Sequence, residues 1–349
     1  MQAKRILKDL KYFTEDVVYF PKREIVTYDV YAESKDNLHH RIEALNKLHN
    51  NKARVVVTTI ESLMQKTVGK EVLYKNTINL KVGDTFKLDD IKEKLVNLGY
   101  ERCEQVEGRG QFSIRGGIVD ISETSDKLGI RIEFWGDTVD SIRNFDIVSQ
   151  RTIDMIDNAV IYPSNEFVLE KDLEQICNNI LKNEYTEKQL EIVNEDVELI
   201  RSGDYINKID KYFNNFYSEP KTLLDYLNSE FIIFLDEITK IKTRSQNIIN
   251  DNKSVIKSLV EKNKIIVQSL ENQVDYIDFI KELENTQIVY LEKQDLGFVD
   301  KQNMYAKKNE YSFSCREVNF FRSGMDLLFQ EVQQAKEKNK TVIILRRKL

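Results

Sequence analysis

The sequence predicts an α/β protein interrupted by a small, glycine-rich α+β unit. Near the N-terminus, two β-branched runs flank a stretch of helical periodicity, the strand–helix–strand order of a parallel sheet. Eight of the twelve glycines fall between Gly83 and Gly136, and there short alternating runs replace longer helices. Beyond Pro163 the chain is rich in Lys, Glu, Asn and Asp, with few glycines and a return to helical periodicity. At 349 residues, two or three domains are expected.

Taken in order, Ile6, Leu7 and Leu10 mark a first amphipathic helix. Val17 to Phe20 and Arg54 to Thr59 are short apolar and β-branched runs, the pattern of buried strands. Between them Leu38, Ile42, Leu45 and Leu48 recur at helical spacing, with Asp36 placed to cap. Leu88 to Leu98 reads as a helix that Gly99 ends. Gln111 to Ile121, Gly129 to Trp135 and Thr138 to Phe145 read as antiparallel strands, the last two joined by a two-residue Gly136-Asp137 turn. Phe231 to Leu235 is an apolar run ending in Asp236-Glu237, the pattern of a central strand delivering carboxylates to a sheet edge. Lys264 to Gln268 and Gln287 to Leu291 are further strand candidates, and Tyr311 to Leu349 reads strand, helix, strand.

Composition narrows the function. A formal charge of −6 gives the whole chain no long-range attraction for a nucleic-acid backbone and favours a protein partner. No apolar run approaches the ~20 residues that span a bilayer, and the N-terminus has no apolar signal core, so a cytoplasmic protein is expected. Cys103, Cys177 and Cys315 are far apart, and His39, His40 and His49 have no cysteine nearby; neither a disulfide framework nor a metal site is expected.

The acidic pair after an apolar strand is what the metal-coordinating strand of a P-loop ATPase looks like, but that chemistry also needs a glycine-rich phosphate cradle. Gly69-Lys70 is the one Gly-Lys pair; Met64 stands where the first glycine would be, and Glu71 replaces the hydroxyl residue. No nucleophile–base constellation can be assembled either. The chain is therefore expected to carry no catalytic residues and no cofactor.

The informative stretch is Gly108 to Phe145. In the strand around Gly129 to Trp135, Ile130, Ile132 and Phe134 share one face and Arg131, Glu133 and Trp135 the other. With the apolar face buried, the only tryptophan lies on the polar face beside an arginine, two residue types enriched at the energetic centres of interfaces. Phe112 and Ile114 alternate with Ser113 and Arg115 in the same way, and Gly116-Gly117 after Arg115 suggests a bulge or a close backbone approach. The competing reading folds Trp135 over Arg131 as a cation–π pair, worth about 0.5–1 kcal/mol when exposed.

The runs Gly110-Gln-Phe-Ser-Ile-Arg-Gly-Gly-Ile-Val-Asp-Ile121 and Arg131-Ile-Glu-Phe-Trp-Gly-Asp-Thr-Val-Asp-Ser-Ile-Arg143 closely resemble the UvrB-homology region of bacterial transcription-repair coupling factors (Mfd). Gln150-Arg151-Thr152, Ile161 to Phe167, Phe20-Pro21 to Tyr28-Asp29, Val57 to Leu63, Leu223 to Tyr226 and Leu235 to Glu237 fit as well. The Ser-His that follows the acidic pair in UvrB is Ile238-Thr239 here, and the phosphate loop is missing, which sets the chain apart from UvrB itself.

This resemblance implies a discontinuous, degenerate P-loop-ATPase-like (UvrB-like) domain built from residues 1–76 and 164–300. The small α+β domain, 77–163, is inserted in it, and 301–349 forms a linker and the start of a following domain. It implies UvrA as partner, met by Arg115, Arg131 and Trp135 with Arg143 and Phe145 downstream, in transcription-coupled nucleotide excision repair. Family members begin several dozen residues earlier and continue into an RNA polymerase-binding domain and an ATP-driven translocase on duplex DNA; the chain is expected to lack these. A truncated UvrB-type repair helicase and a direct DNA-binding module are the other two readings.

Overall fold

The computed structural model describes residues 2–23, 35–75, 77–124, 128–203, 209, 211–228, 230–261, 274, 276–283, 286–293, 311–313 and 325–342. They fall into two compact units, Met1–Asp295 and Leu296–Leu349. No helix among the described residues is long and apolar enough to cross a membrane.

The first unit opens with α1 (Gln2–Leu10), β1 (Val17–Phe20), α2 (Lys35–His49), β2 (Val55–Thr58), α3 (Ile60–Leu63) and α4 (Lys70–Tyr74). β1 and β2 pair in parallel, Val17 opposite Val55 and Phe20 opposite Thr58, as the strand–helix–strand order predicts. Ile42, Leu45 and Leu48 lie on the α2 face turned to these strands and are buried beside Val18 and Phe20.

Next come β3 (Ile78–Lys81), α5 (Leu88–Asn97), β4 (Glu101–Arg102), β5 (Gln111–Arg115), β6 (Ile118–Ser122), β7 (Leu128–Trp135), β8 (Thr138–Asp146), β9 (Thr152–Ile156) and β10 (Asn158–Ile161). β4 through β9 form one six-stranded sheet in sequence order, antiparallel except for the short β4–β5 pair. β3 and β10 pair separately and antiparallel. One face of the large sheet is apolar: Phe112, Val119, Ile121, Ile132 and Ile142 are fully buried against α5 residues Ile91 and Leu95 and against Ile78 and Ile161.

Two local expectations need correction here. Gln111 to Ile121 is not one strand but a hairpin, turned at Gly116-Gly117. Gly116 has φ +61°, and a Cβ on Gly117 would lie 2.7 Å from the Phe134 carbonyl oxygen, so of the two expectations for this pair the close backbone approach holds and the bulge does not: the glycines make a tight turn against β7. The bulge occurs in β8 instead: Glu133 faces Ser141 but Phe134 faces Val139, leaving Asp140 as the extra residue.

The chain then forms α6 (Leu173–Leu181), α7 (Glu187–Arg201), α8 (Phe213–Phe216), a 3-10 turn (Leu223–Tyr226), β11 (Ile232–Asp236), α9 (Ile238–Glu261), α10 (Tyr276–Glu282) and β12 (Gln287–Leu291). Ile176, Ile180, Val193, Val197, Phe213 and Tyr226 join the core begun by Phe20 and Ile42, so one core draws on residues 18–73 and 167–226 while a second draws on 78–161. Asp172 and Thr186 cap α6 and α7 by accepting from the backbone N–H groups of Gln175 and Gln189.

β11 and β12 pair in parallel, but β11 is not a buried strand. Ile232 and Phe234 are 47% and 60% exposed, and only Leu235 is buried. The strand candidate at 264–268 lies outside the described residues, as do most of the two strands expected around the last helix, α11 (Met325–Glu337), which belongs to the second unit.

Candidate protein-docking face

The second face of the six-stranded sheet carries charge. Pairing registers place Ser113, Asp120, Arg131, Arg143 and Met155 in one row across β5 to β9, and Arg115, Ile118, Glu133 and Ser141 in the next. Alternation along each strand puts both rows opposite the apolar core.

Asp120 lies at the centre of this face and is fully buried. Its carboxylate accepts from Arg131 Nε at 2.6 Å and from Arg131 Nη2 at 2.9 Å, and from Arg115 Nη2 at 2.6 Å. The Arg131 guanidinium also donates to the Gln150 side chain at 3.1 Å and rests on the Phe145 ring, 4.5 Å from its centroid. The hydrogen bond to Asp120 raises its pKa further, keeping the charge fixed. Gln150, at φ +60°, donates to the Val106 and Ile147 carbonyl oxygens, so the turn after β8 is laced to Arg131 and to the loop before β5.

Of the five residues expected to meet a partner, the structure treats each differently. Trp135, at the end of β7 beside the Gly136 turn (φ +62°), is 84% exposed. The cation–π contact of Arg131 is with Phe145, not with Trp135. Arg115 is 47% exposed and Arg131 only 16%. Arg143 is ion-paired with Glu133, whose other oxygen accepts from Ser141.

Phe145 is a correction: it is fully buried and cannot touch a partner. Its ring fills the space that Gly129, its cross-strand partner, leaves empty; a Cβ there would lie 2.3 Å from the ring. Asp120 and Gln150 were not singled out from the sequence. The signal for Asp120 was available, since a carboxylate inside the apolar run Ile118 to Ile121 needs a cationic partner once buried. Nothing in the sequence marks Gln150.

The acidic pair lies elsewhere, at the end of β11. Asp236 accepts from the Gln2 side chain at 2.5 Å, and Glu237, at φ +62°, is ion-paired with Lys240 at 3.4 Å.

An exposed tryptophan and a half-exposed arginine, held on a rigid sheet, form a surface suited to binding protein. Residues 78–167, which contain this whole face, match the family model of the UvrB interaction domain. Along its full length the chain is similar to transcription-repair-coupling factors. It is 27% identical over 358 aligned residues to the one from Bacillus subtilis (strain 168), covering 99% of this chain and 30% of that protein. Those of Staphylococcus aureus strains MRSA252 and NCTC 8325 / PS 47 match with the same identity and the same shares. The family resemblance carried by the motifs thus extends over the chain, which spans under a third of its curated relatives.

Proposed function

We propose that this chain is a recruitment module of transcription-coupled nucleotide excision repair that docks on UvrA through the charged face of its six-stranded sheet. Trp135 is the anchor that fills a pocket on the partner, and Arg115 and Arg143 pair with acidic groups around it. Arg131 supports them from below. The observation that carries this reading is Trp135, 84% exposed within the segment that matches the UvrB interaction domain. A tryptophan at the rim of a rigid sheet presents a large contact area with little conformational freedom to lose.

Residues 77–163 act in this reading as a domain inserted into a degenerate UvrB-like α/β domain formed by 1–76 and 164–300. The split of the first core between residues 18–73 and 167–226 supports that division. The chain works by binding, without hydrolysing ATP. Translocation on duplex DNA and displacement of stalled RNA polymerase, which the family resemblance implies, are assigned in this reading to parts of the relatives other than the 30% matched here.

The reading is tested by surface plasmon resonance on immobilised UvrA. Saturable binding by the wild type, lost in the Trp135→Ala, Arg115→Ala double variant with folding intact, supports it. A well-folded wild type that gives no signal rejects it.

A further inference from the structure

We infer that Asp120 is the positioning residue of the docking face, fixing Arg131 as a brace so that Arg115 is held in place to meet the partner. This rests on the docking reading above. One fully buried carboxylate serves both guanidiniums, and the two arginines differ in what they have left to offer. Arg131 is 16% exposed, engages Asp120 twice, donates to Gln150 and stacks on Phe145. Four of its five N–H donors are engaged inside the chain, the fourth at 3.4 Å to the Gln150 carbonyl oxygen. Arg115 is 47% exposed, and among the described residues its hydrogen bonding is to Asp120 alone, through Nη2. An arginine has five N–H donors in a planar fork, so most of those on Arg115 remain for a partner carboxylate.

A structural role alone accounts poorly for this arrangement. Replacing a buried ion pair with apolar residues of similar volume is often neutral or stabilising, so the trio is weak evidence for stability by itself. What it provides is geometry. A free arginine loses side-chain entropy when it docks, whereas Arg115 has lost much of it before the partner arrives. Two cations around one carboxylate also leave the trio with a net positive charge, which suits a partner surface bearing carboxylates.

The test gives opposite signs for the two views. If charge alone mattered, Asp120→Asn would make the face more positive and tighten binding to an acidic surface. Positioning predicts the reverse: the Kd of the full chain for UvrA rises about tenfold, less than the loss of a hot-spot side chain because Arg115 itself remains. In that background Arg115→Ala should cost far less than it does in the wild type, since the benefit of Arg115 depends on Asp120. Unchanged or tighter binding by Asp120→Asn, or an undiminished Arg115→Ala effect, overturns the inference. Should Asp120→Asn fail to fold, Arg131→Lys replaces it: the charge stays, the fork is lost, and the same weakening is expected.

A second readout needs no partner. The Arg131 Nε–H should give a slowly exchanging NMR signal in the free wild-type chain that disappears in Asp120→Asn. A wild type that folds and shows this signal but does not bind UvrA refutes the docking reading while leaving the brace intact. Absence of the signal in the wild type, or its persistence in Asp120→Asn, refutes the brace itself.

Discussion

Arg41 and Glu166 form a buried bidentate ion pair, Nε to Oε2 at 2.5 Å and Nη2 to Oε1 at 2.8 Å, with side chains 0% and 1% exposed. Arg41 belongs to α2 and Glu166 follows β10, so the pair ties the first helical layer to the chain as it leaves the six-stranded region. Arg41 also stacks on Phe20 at 3.9 Å, and Arg23 reaches Glu166 at 3.4 Å. Glu166→Gln leaves Arg41 with no buried counter-charge from this residue. It is expected to cost about 3–5 kcal/mol, measured as a lower urea midpoint with an unchanged slope.

The same pair sets an acid limit. Burial alone pushes the Glu166 carboxyl up, but Arg41 and Arg23 together hold it below its ordinary value of 4.5. A depressed carboxylate contributes its stability above the unfolded value and loses it as pH falls through the folded one. Urea midpoints of the wild type should therefore drop steeply below about pH 4, and those of Glu166→Gln less so. Parallel curves would remove Glu166 from the acid transition.

His49 gives a second, separable titration. Its ring stacks on Tyr74 with centroids 3.6 Å apart, and its Nδ1 is buried with no hydrogen-bond partner among the described residues. Burial, and then the nearby Lys70, lower its pKa below 6.5, so the neutral ring is the form the fold accepts. Its contribution is present above 6.5 and is lost as pH falls through the folded value. His49→Phe keeps the stack and should flatten the change in stability between roughly pH 5 and 7, the range in which histidine titrates. An unaltered slope would contradict this.

Gly129 and Phe145 test the floor beneath Arg131. Gly129→Ala sets a Cβ against the Phe145 ring. Overpacking of this kind costs about 1–3 kcal/mol, read as a lower melting temperature. Full stability in the variant would show that the ring is not pinned there.

How much of this was legible in the sequence follows from physical scale. The parallel β1–β2 pair, α2 and α5 were readable because each rests on a periodicity that burial enforces locally. The hairpin at Gly116-Gly117 was missed because β-branched residues continue on both sides of the turn, and two glycines read equally as a bulge. Trp135 and Arg115 were legible as exposed side chains because alternation fixes which face they occupy. Phe145 was misread because alternation gives its face correctly but not its cover: it lies on the charged face, yet Arg131 rests over its ring and the space it fills exists only where Gly129 on another strand lacks a side chain. The exposure of Phe234 was also hidden, since five apolar residues in a row look the same whether one face is covered or both.

The central claim is that Trp135 is an anchor for UvrA and not a part of the fold. The direct measurement is a calorimetric titration of UvrA with the full chain, wild type beside Trp135→Ala, with urea midpoints of both. An exposed side chain contributes little to folding, so stability should change by no more than about 0.5 kcal/mol. Binding should weaken by about 2 kcal/mol or more, the cost of removing a hot-spot tryptophan. Equal affinity of the two proteins for UvrA, at equal stability, would contradict the account.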